Sequence, residues 1–104
     1  MDNQDLLHIL YKHSLWLSGA EGGEPANLRS ADLRGAQMMR ANLRGADLSG
    51  ASLAGANLMG ADLRHANLKR ASLHDALLDN ANMYGAKLSE GSLEGADTLY
   101  RERM

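Results

Sequence analysis

A period of five residues, which begins at Ala26, is the feature that most constrains how this chain folds. Helices repeat every 3.6 residues and strands every 2, so neither accounts for this period. Alanine stands at every fifth position from Ala26 to Ala96, with Gly91 as the exception. Leucine or methionine stands two places after each of these positions until Thr98. The fifteen consecutive units predict a repeat architecture.

Each unit predicts a short extended segment followed by a corner. Residues two apart in extended backbone point the same way, so alanine and leucine face inward while the residue between them faces outward. Glycine often holds the last position, where a type II turn requires a positive φ. Arg40, His65, Arg70 and Glu90 hold the same position and do not favour that conformation, so another turn type is predicted there. Corners of about 90° close one coil every four units, and coils stack about 4.8 Å apart.

The second inward column is the predicted core, because a large apolar side chain there points to the centre of every coil. Its members are Leu28, Leu33, Met38, Leu43, Leu48, Leu53, Leu58, Leu63, Leu68, Leu73, Leu78, Met83, Leu88 and Leu93. A core of alanine and leucine, in a chain with no phenylalanine, needs narrow and regular geometry to pack densely.

The units "ADLRG" at Ala31, "ANLRG" at Ala41, "ADLSG" at Ala46 and "ANLMG" at Ala56 resemble the pentapeptide-repeat family, whose pattern is A(D/N)LXX. The resemblance implies an all-β solenoid, a right-handed quadrilateral β-helix of about 3.75 coils, to which the sequence adds an N-terminal α-helical cap. It implies little about function, since some members mimic DNA and bind type II topoisomerases while others are bacterial effectors.

The predicted organisation has four parts. Residues 1–18 form a capping helix, in which Leu6, Leu10, His13 and Leu17 form one stripe and the three leucines are expected to cover the first coil. Residues 19–25 form a linker, residues 26–100 the β-helix and residues 101–104 a C-terminal tail. A solenoid end exposes apolar core and unpaired strand edges, so we expect a homodimer through the C-terminal end.

The residue types argue against catalysis and against bound cofactors. The chain has no cysteine, and its histidines lack the spacing of a helical metal pair. A narrow leucine core leaves no cavity for a substrate. We therefore expect no catalytic, cofactor-binding or metal-binding residue and no enzyme activity. The N-terminus lacks the pattern of a signal peptide and no apolar run is long enough to span a membrane, so a cytoplasmic location without a membrane partner is expected.

The outward residues fall on four faces, numbered from residue 26, because one coil takes four units. Outward positions are normally polar, so clustered apolar and aromatic residues on faces three and four form a candidate interaction surface. Its residues are Met39, Met59, Leu77, Leu99, Tyr100, Arg44, Arg64 and Tyr84. Scattered apolar side chains on a protein surface are also ordinary, and that interpretation stays open.

Charge varies along the chain: residues 26–70 carry +4, residues 71–104 carry −3 and residues 1–25 carry −3. The composition predicts a non-enzymatic module that presents a rigid surface to an unknown protein partner. The alternative is a DNA mimic that acts on DNA gyrase or another type II topoisomerase, for which a continuous anionic face is needed. Nucleic-acid binding is not expected, because the basic patches lack an aromatic platform.

Overall fold

The chain begins with one helix, α1, which spans Asn3–Leu17. The computed structural model describes residues 1–97. Asp2 caps the helix, since its side chain accepts a hydrogen bond from the amide of Gln4 at 2.7 Å. Gly19, at φ 75°, lies just after the C-terminal cap residue Ser18, where a left-handed residue commonly ends a helix.

Parallel pairing at an offset of 20 residues builds the rest of the fold. Residue 27 pairs with residue 47 and residue 47 with residue 67, and the same offset recurs on the other sides of the coil. Two short strands, β1 (Asn67–Leu68) and β2 (Lys87–Leu88), pair in the same way. Most pairs are single bridges because each side of a coil ends at a corner after a few residues. The offset confirms that one coil takes four units.

The corners all use positive φ, including those with large side chains. We predicted another turn type at Arg40, His65 and Arg70, and this is wrong: their φ values are 59°, 61° and 62°. The stack imposes the conformation, because the corner amide of Arg40 donates to the Met59 carbonyl of the next coil at 2.8 Å. A left-handed residue other than glycine costs about 1–2 kcal/mol. Only at Glu90 does the corner change, with the positive φ at Gly91 instead.

The outward residue of each unit has a structural role, which explains its preference for asparagine and aspartate. Its side-chain oxygen accepts a hydrogen bond from the amide two residues later. Asn57 accepts from Met59 in this way at 3.1 Å, and Asp62 accepts from Arg64 at 3.1 Å. Short side chains with an oxygen at this reach stabilise turns. The D/N position therefore reports backbone geometry and carries no information about a ligand.

The two inward columns form one continuous core. The predicted core residues from Leu28 to Leu78 are at most 2 % exposed. Met83, Leu88 and Leu93 were predicted as fully buried, but they are half-buried. They lie in the last described units, where the described chain covers them from one side only.

Helix α1 docks on the first coil through a buried histidine. His13 has no exposed surface, and its Nδ1 accepts a hydrogen bond from the Ala26 amide at 2.9 Å. Its Nε2 lies 2.9 Å from the Arg44 carbonyl oxygen and donates to it in the neutral tautomer. Burial lowers the pKa of His13 below its usual value, although the hydrogen bond to Arg44 opposes this shift. Leu6, about two helical turns before His13, is buried, whereas Leu10 and Leu17 are half-buried.

Candidate interaction surface

The offset of 20 residues defines four faces on the described chain. Face one consists of residues 26–30 and the residues 20, 40 and 60 places later. Faces two, three and four are defined in the same way, by steps of 20 residues from residues 31–35, 36–40 and 41–45. Residues 26–45 are called coil one, and coils two, three and four start at residues 46, 66 and 86.

Face three carries an apolar strip, which we define as Met39, Met59 and Leu77. Met39 is 51 % exposed, and the other two are half-buried. Pairing of residue 37 with 57 and of residue 57 with 77 holds the three in successive coils. Leu99 and Tyr100, which we also predicted for this surface, lie outside the described residues. The strip is therefore a set of partly exposed apolar side chains on a hydrogen-bonded backbone.

An acidic residue borders the apolar strip on face three. Asp79 is half-buried, and its Oδ1 has no hydrogen-bond partner in the described part of the chain. Burial of an acceptor without a donor costs free energy of folding. The strip thus ends beside an unsatisfied carboxylate.

Face four carries Arg44, Arg64 and Tyr84 in successive coils. Arg64 donates two hydrogen bonds to the Asp62 carboxylate, from Nε to Oδ1 at 2.9 Å and from Nη2 to Oδ2 at 2.7 Å. These bonds hold the pKa of the Asp62 carboxyl below its usual range. Arg44 is exposed, while its backbone carbonyl anchors the helix. Charge on this face is therefore partly neutralised within the chain.

Aromatic rings extend along one corner of face four, where the sequence predicted Tyr84 but neither its contact with His65 nor the nearby Trp16. Tyr84 is 74 % exposed. Its ring and the ring of His65 pack edge to face, with their centroids 5.8 Å apart. The His65 ring lies so close above Gly85 that a Cβ there would overlap it. Trp16 of the helix, 43 % exposed, lies beside Gly45, where an added Cβ would make only ordinary contact with the indole ring. A glycine one coil away from a bulky corner residue is the sequence signal for this packing.

The predicted surface is therefore two strips on adjacent faces, one apolar and one basic and aromatic. In residues 1–97 there is no group of three or more histidine or acidic residues placed to hold a metal ion. Within the same residues, no helix has the length and the apolar character to cross a bilayer. The outward side chains of these two strips offer apolar contact and charge.

The sequence pattern of one family, described as "Pentapeptide repeats", matches residues 26–58 and 56–95 with eight copies. This chain belongs to the pentapeptide-repeat family. Solved structures of pentapeptide-repeat proteins resemble it, and such proteins form β-helices. A comparison with curated proteins found no match.

Three of these solved structures are from Arabidopsis thaliana and Nostoc. One, from the thylakoid lumen of Arabidopsis thaliana, is 35 % identical, with a TM-score of 0.62 over 68 % of this chain and 50 % of its own. A Nostoc PCC 7120 protein is 30 % identical, with a TM-score of 0.46 over 83 % and 71 %. HetL from Nostoc sp. strain PCC 7120, involved in heterocyst differentiation regulation, is 39 % identical, with a TM-score of 0.37 over 72 % and 35 %. The chain thus spans half of the Arabidopsis protein.

Proposed function

We propose that this pentapeptide-repeat protein is a non-enzymatic interaction module whose apolar strip binds another protein. The observation that carries the proposal is the exposure of Met39 beside half-buried Met59 and Leu77 in successive coils. Apolar side chains that cluster on a surface are typical of contact sites. Methionine adapts its shape to a partner, which suits it to such a site.

The scaffold of the proposal is the right-handed quadrilateral coil of about 3.75 turns that the resemblance implies. Backbone hydrogen bonds at 2.7–3.1 Å join each coil to the next on every side, which supports a surface that stays rigid before a partner binds. A rigid surface loses little conformational entropy on binding. The predicted homodimer through the C-terminal end and the cytoplasmic location remain predictions.

The DNA-mimic alternative has less support in the described chain. A mimic needs a continuous anionic face to copy the phosphate charge. Face four presents Arg44, Arg64 and Tyr84, and face three presents the apolar strip. We therefore keep the interaction module as the proposal, and inhibition of DNA supercoiling by gyrase in the presence of this protein would reverse the order.

Replacement of Met39 and Met59 by serine tests the apolar strip. Affinity capture from the native cell extract identifies candidate partners, and each is then purified and titrated against the parent and the variant. We expect the dissociation constant to rise by about tenfold or more, since about 1.4 kcal/mol of lost contact corresponds to a factor of ten. The urea midpoint is expected to stay close to that of the parent because both side chains lie outside the core column.

Leu7→Ser is the matched control, because Leu7 is 57 % exposed on the helix and away from the strip. It is expected to bind partners as the parent does. Equal partner binding by the parent, the double serine variant and the control would contradict the proposal.

A further inference from the structure

Face one and face three lie on opposite sides of the coil and carry opposite charge. Face one has an excess of basic over acidic residues, with a formal charge of +2 from Arg29, Lys69, Arg70, Lys87, Asp47 and Glu90. Face three has a formal charge of −1 from Arg40, Asp79 and Asp97. The described coils are neutral as a whole, with eight basic and eight acidic residues. Charge is thus distributed unevenly around the axis of the coils as well as along it.

The two faces also match in their order along the axis. In coils three and four, face one is basic and exposed at Lys69 and Lys87. At the same levels, face three is acidic at Asp79 and Asp97. Within residues 1–97, none of these four side chains takes part in an ion pair. Each therefore keeps its charge available for a partner.

The first two coils show the complementary pattern in apolar surface. Here face three carries Met39 and Met59, whereas face one offers Arg29 and Ser30 in coil one and the small residues Ser49 and Gly50 in coil two. Small residues opposite Met59 permit close contact at the level of coil two. The side chain of Arg40 on face three extends over Gly60 of coil two.

At the level of coil two the signs are reversed: face one carries an acidic residue, and face three carries a basic one. Face one carries Asp47 there, in the same coil as Gly60, which the Arg40 side chain contacts on face three. Asp47 Oδ1 accepts hydrogen bonds from the Ser49 amide at 3.0 Å and the Ser49 hydroxyl at 2.7 Å, while Oδ2 lies 3.7 Å from Arg29 Nε. The sign of each face therefore reverses between coil two and coil three, and it reverses on both faces together.

From this match we infer that copies of the protein associate side by side, with axes parallel and face one of one copy against face three of the next. The inference deepens the proposed function, on which it rests, because it names a second copy as one partner of the apolar strip. The contact joins two different faces, so each copy can bind one neighbour through face one and another through face three. The assembly therefore grows as an open row.

The size of the contact predicts a weak association. Four coil levels span about 14 Å in height. One face of this height is too small to bury the roughly 800 Å² per partner of a stable complex. Exposed charges are screened by salt, with a Debye length of about 10 Å at 0.1 M and about 3 Å at 1 M. We therefore expect association at high protein concentration and low salt, and its loss at high salt.

Sedimentation velocity of the full chain tests the inference, at protein concentrations up to about 0.5 mM and in about 20 mM or about 500 mM NaCl. The average mass of the parent is expected to rise with concentration in low salt and to return to that of a monomer in high salt. Lys87→Glu and Asp97→Lys, which change opposite faces at one level, are each expected to weaken association by about tenfold. A 1:1 mixture of the two variants is expected to associate better than either alone, because it restores opposite charges across the contact.

Matched controls make the same charge changes on the other two faces. Arg44→Glu on face four and Glu94→Lys on face two are expected to associate as the parent does, since both positions are exposed and lie off the contact. A parent that stays monomeric in low salt, controls that weaken association equally, or a mixture no better than its components would each overturn the inference.

The outcomes also separate this inference from the proposed function. A monomeric parent whose binding to another protein still depends on Met39 and Met59 would end the inference and leave the proposed function standing. Self-association that responds to Lys87 and Asp97, while Met39→Ser with Met59→Ser changes no binding, would show that charge acts without the apolar strip and would contradict the proposed function.

Discussion

At the residue scale, His13 joins the helix to the coils by accepting from one backbone group and donating to another. The Ala26 amide donates to Nδ1, so this nitrogen has to be unprotonated in the folded state. The Trp16 ring stacks on the imidazole at a centroid distance of 5.5 Å. Burial lowers the pKa of His13, and the neutral ring is thus part of the native contact.

Stability is expected to fall in mild acid because of this histidine. Its folded pKa lies below the usual 6.5, so the unfolded chain binds more protons between that folded value and about 6.5. The free energy of unfolding is therefore highest above about 6.5 and decreases as the pH falls through the window. Urea unfolding at a series of pH values measures this slope.

His13→Gln is expected to reduce stability at neutral pH and to flatten the slope in the same window. His8→Gln is the control, because His8 is exposed on the same helix. An identical slope for the parent and His13→Gln would show that His13 does not cause the acid sensitivity.

At the element scale, the linker after α1 determines how closely the chain can return to the helix. The Glu24 amide donates to the Lys12 carbonyl at 3.1 Å, and the two side chains form an ion pair at 3.2 Å. Gly23 lies between these contacts and against the helix backbone, so that a Cβ there would overlap Trp16. The close return therefore depends on a missing side chain.

Gly23→Ala is expected to displace the helix from the first coil while the coils stay folded. Trp16 fluorescence is expected to shift to longer wavelength, and the urea midpoint is expected to fall. The control is Gly22→Ala, at φ 84° with no atom within 4 Å of the added Cβ. It is expected to cost only the strain of a left-handed alanine, about 1–2 kcal/mol. Equal fluorescence shifts in the two variants would contradict this account of the linker.

At the scale of the whole molecule, stability depends on how many neighbouring coils cover a residue. Each coil contacts the next through an offset of 20 residues, so a repeat protein of this kind gains stability from its internal interfaces. Leu58 has no exposed surface and lies within coil two, between two other coils. Met83 is half-buried among the last described units.

Truncation of the central leucine is expected to cost more than truncation near the last described coil. Leu58→Ala is expected to lower the free energy of unfolding by about 2–5 kcal/mol, the usual penalty for a buried leucine. Met83→Ala is expected to cost less, since its side chain keeps part of its surface exposed. Urea unfolding of both variants checks the order, and a larger loss for Met83→Ala would contradict it.

The five-residue pattern alone predicted the coil, its four sides and the core positions up to Leu78. This was possible because every coil repeats the same contacts at the same offset. A given position of the unit therefore has the same location in every coil, and the size of its side chain indicates whether that location is inside or outside. The candidate surface was predicted only as a list, because most of its residues directly follow the central leucine or methionine, a position that has no repeated constraint. Its exposure and the Arg64–Asp62 pairing depend on which side chains meet.

Three features depended on tertiary structure. The left-handed corners at Arg40, His65 and Arg70 arise because hydrogen bonds to the next coil outweigh local preference. The contacts of His13 join the helix to the first coil, and neither the helical stripe nor the five-residue pattern indicates which residues meet there. The ring of His65 over Gly85 joins two coils at one corner. Sequence alone therefore determined what repeats in this protein, and the tertiary structure decided what occurs once, because a single contact has no periodicity from which to infer it.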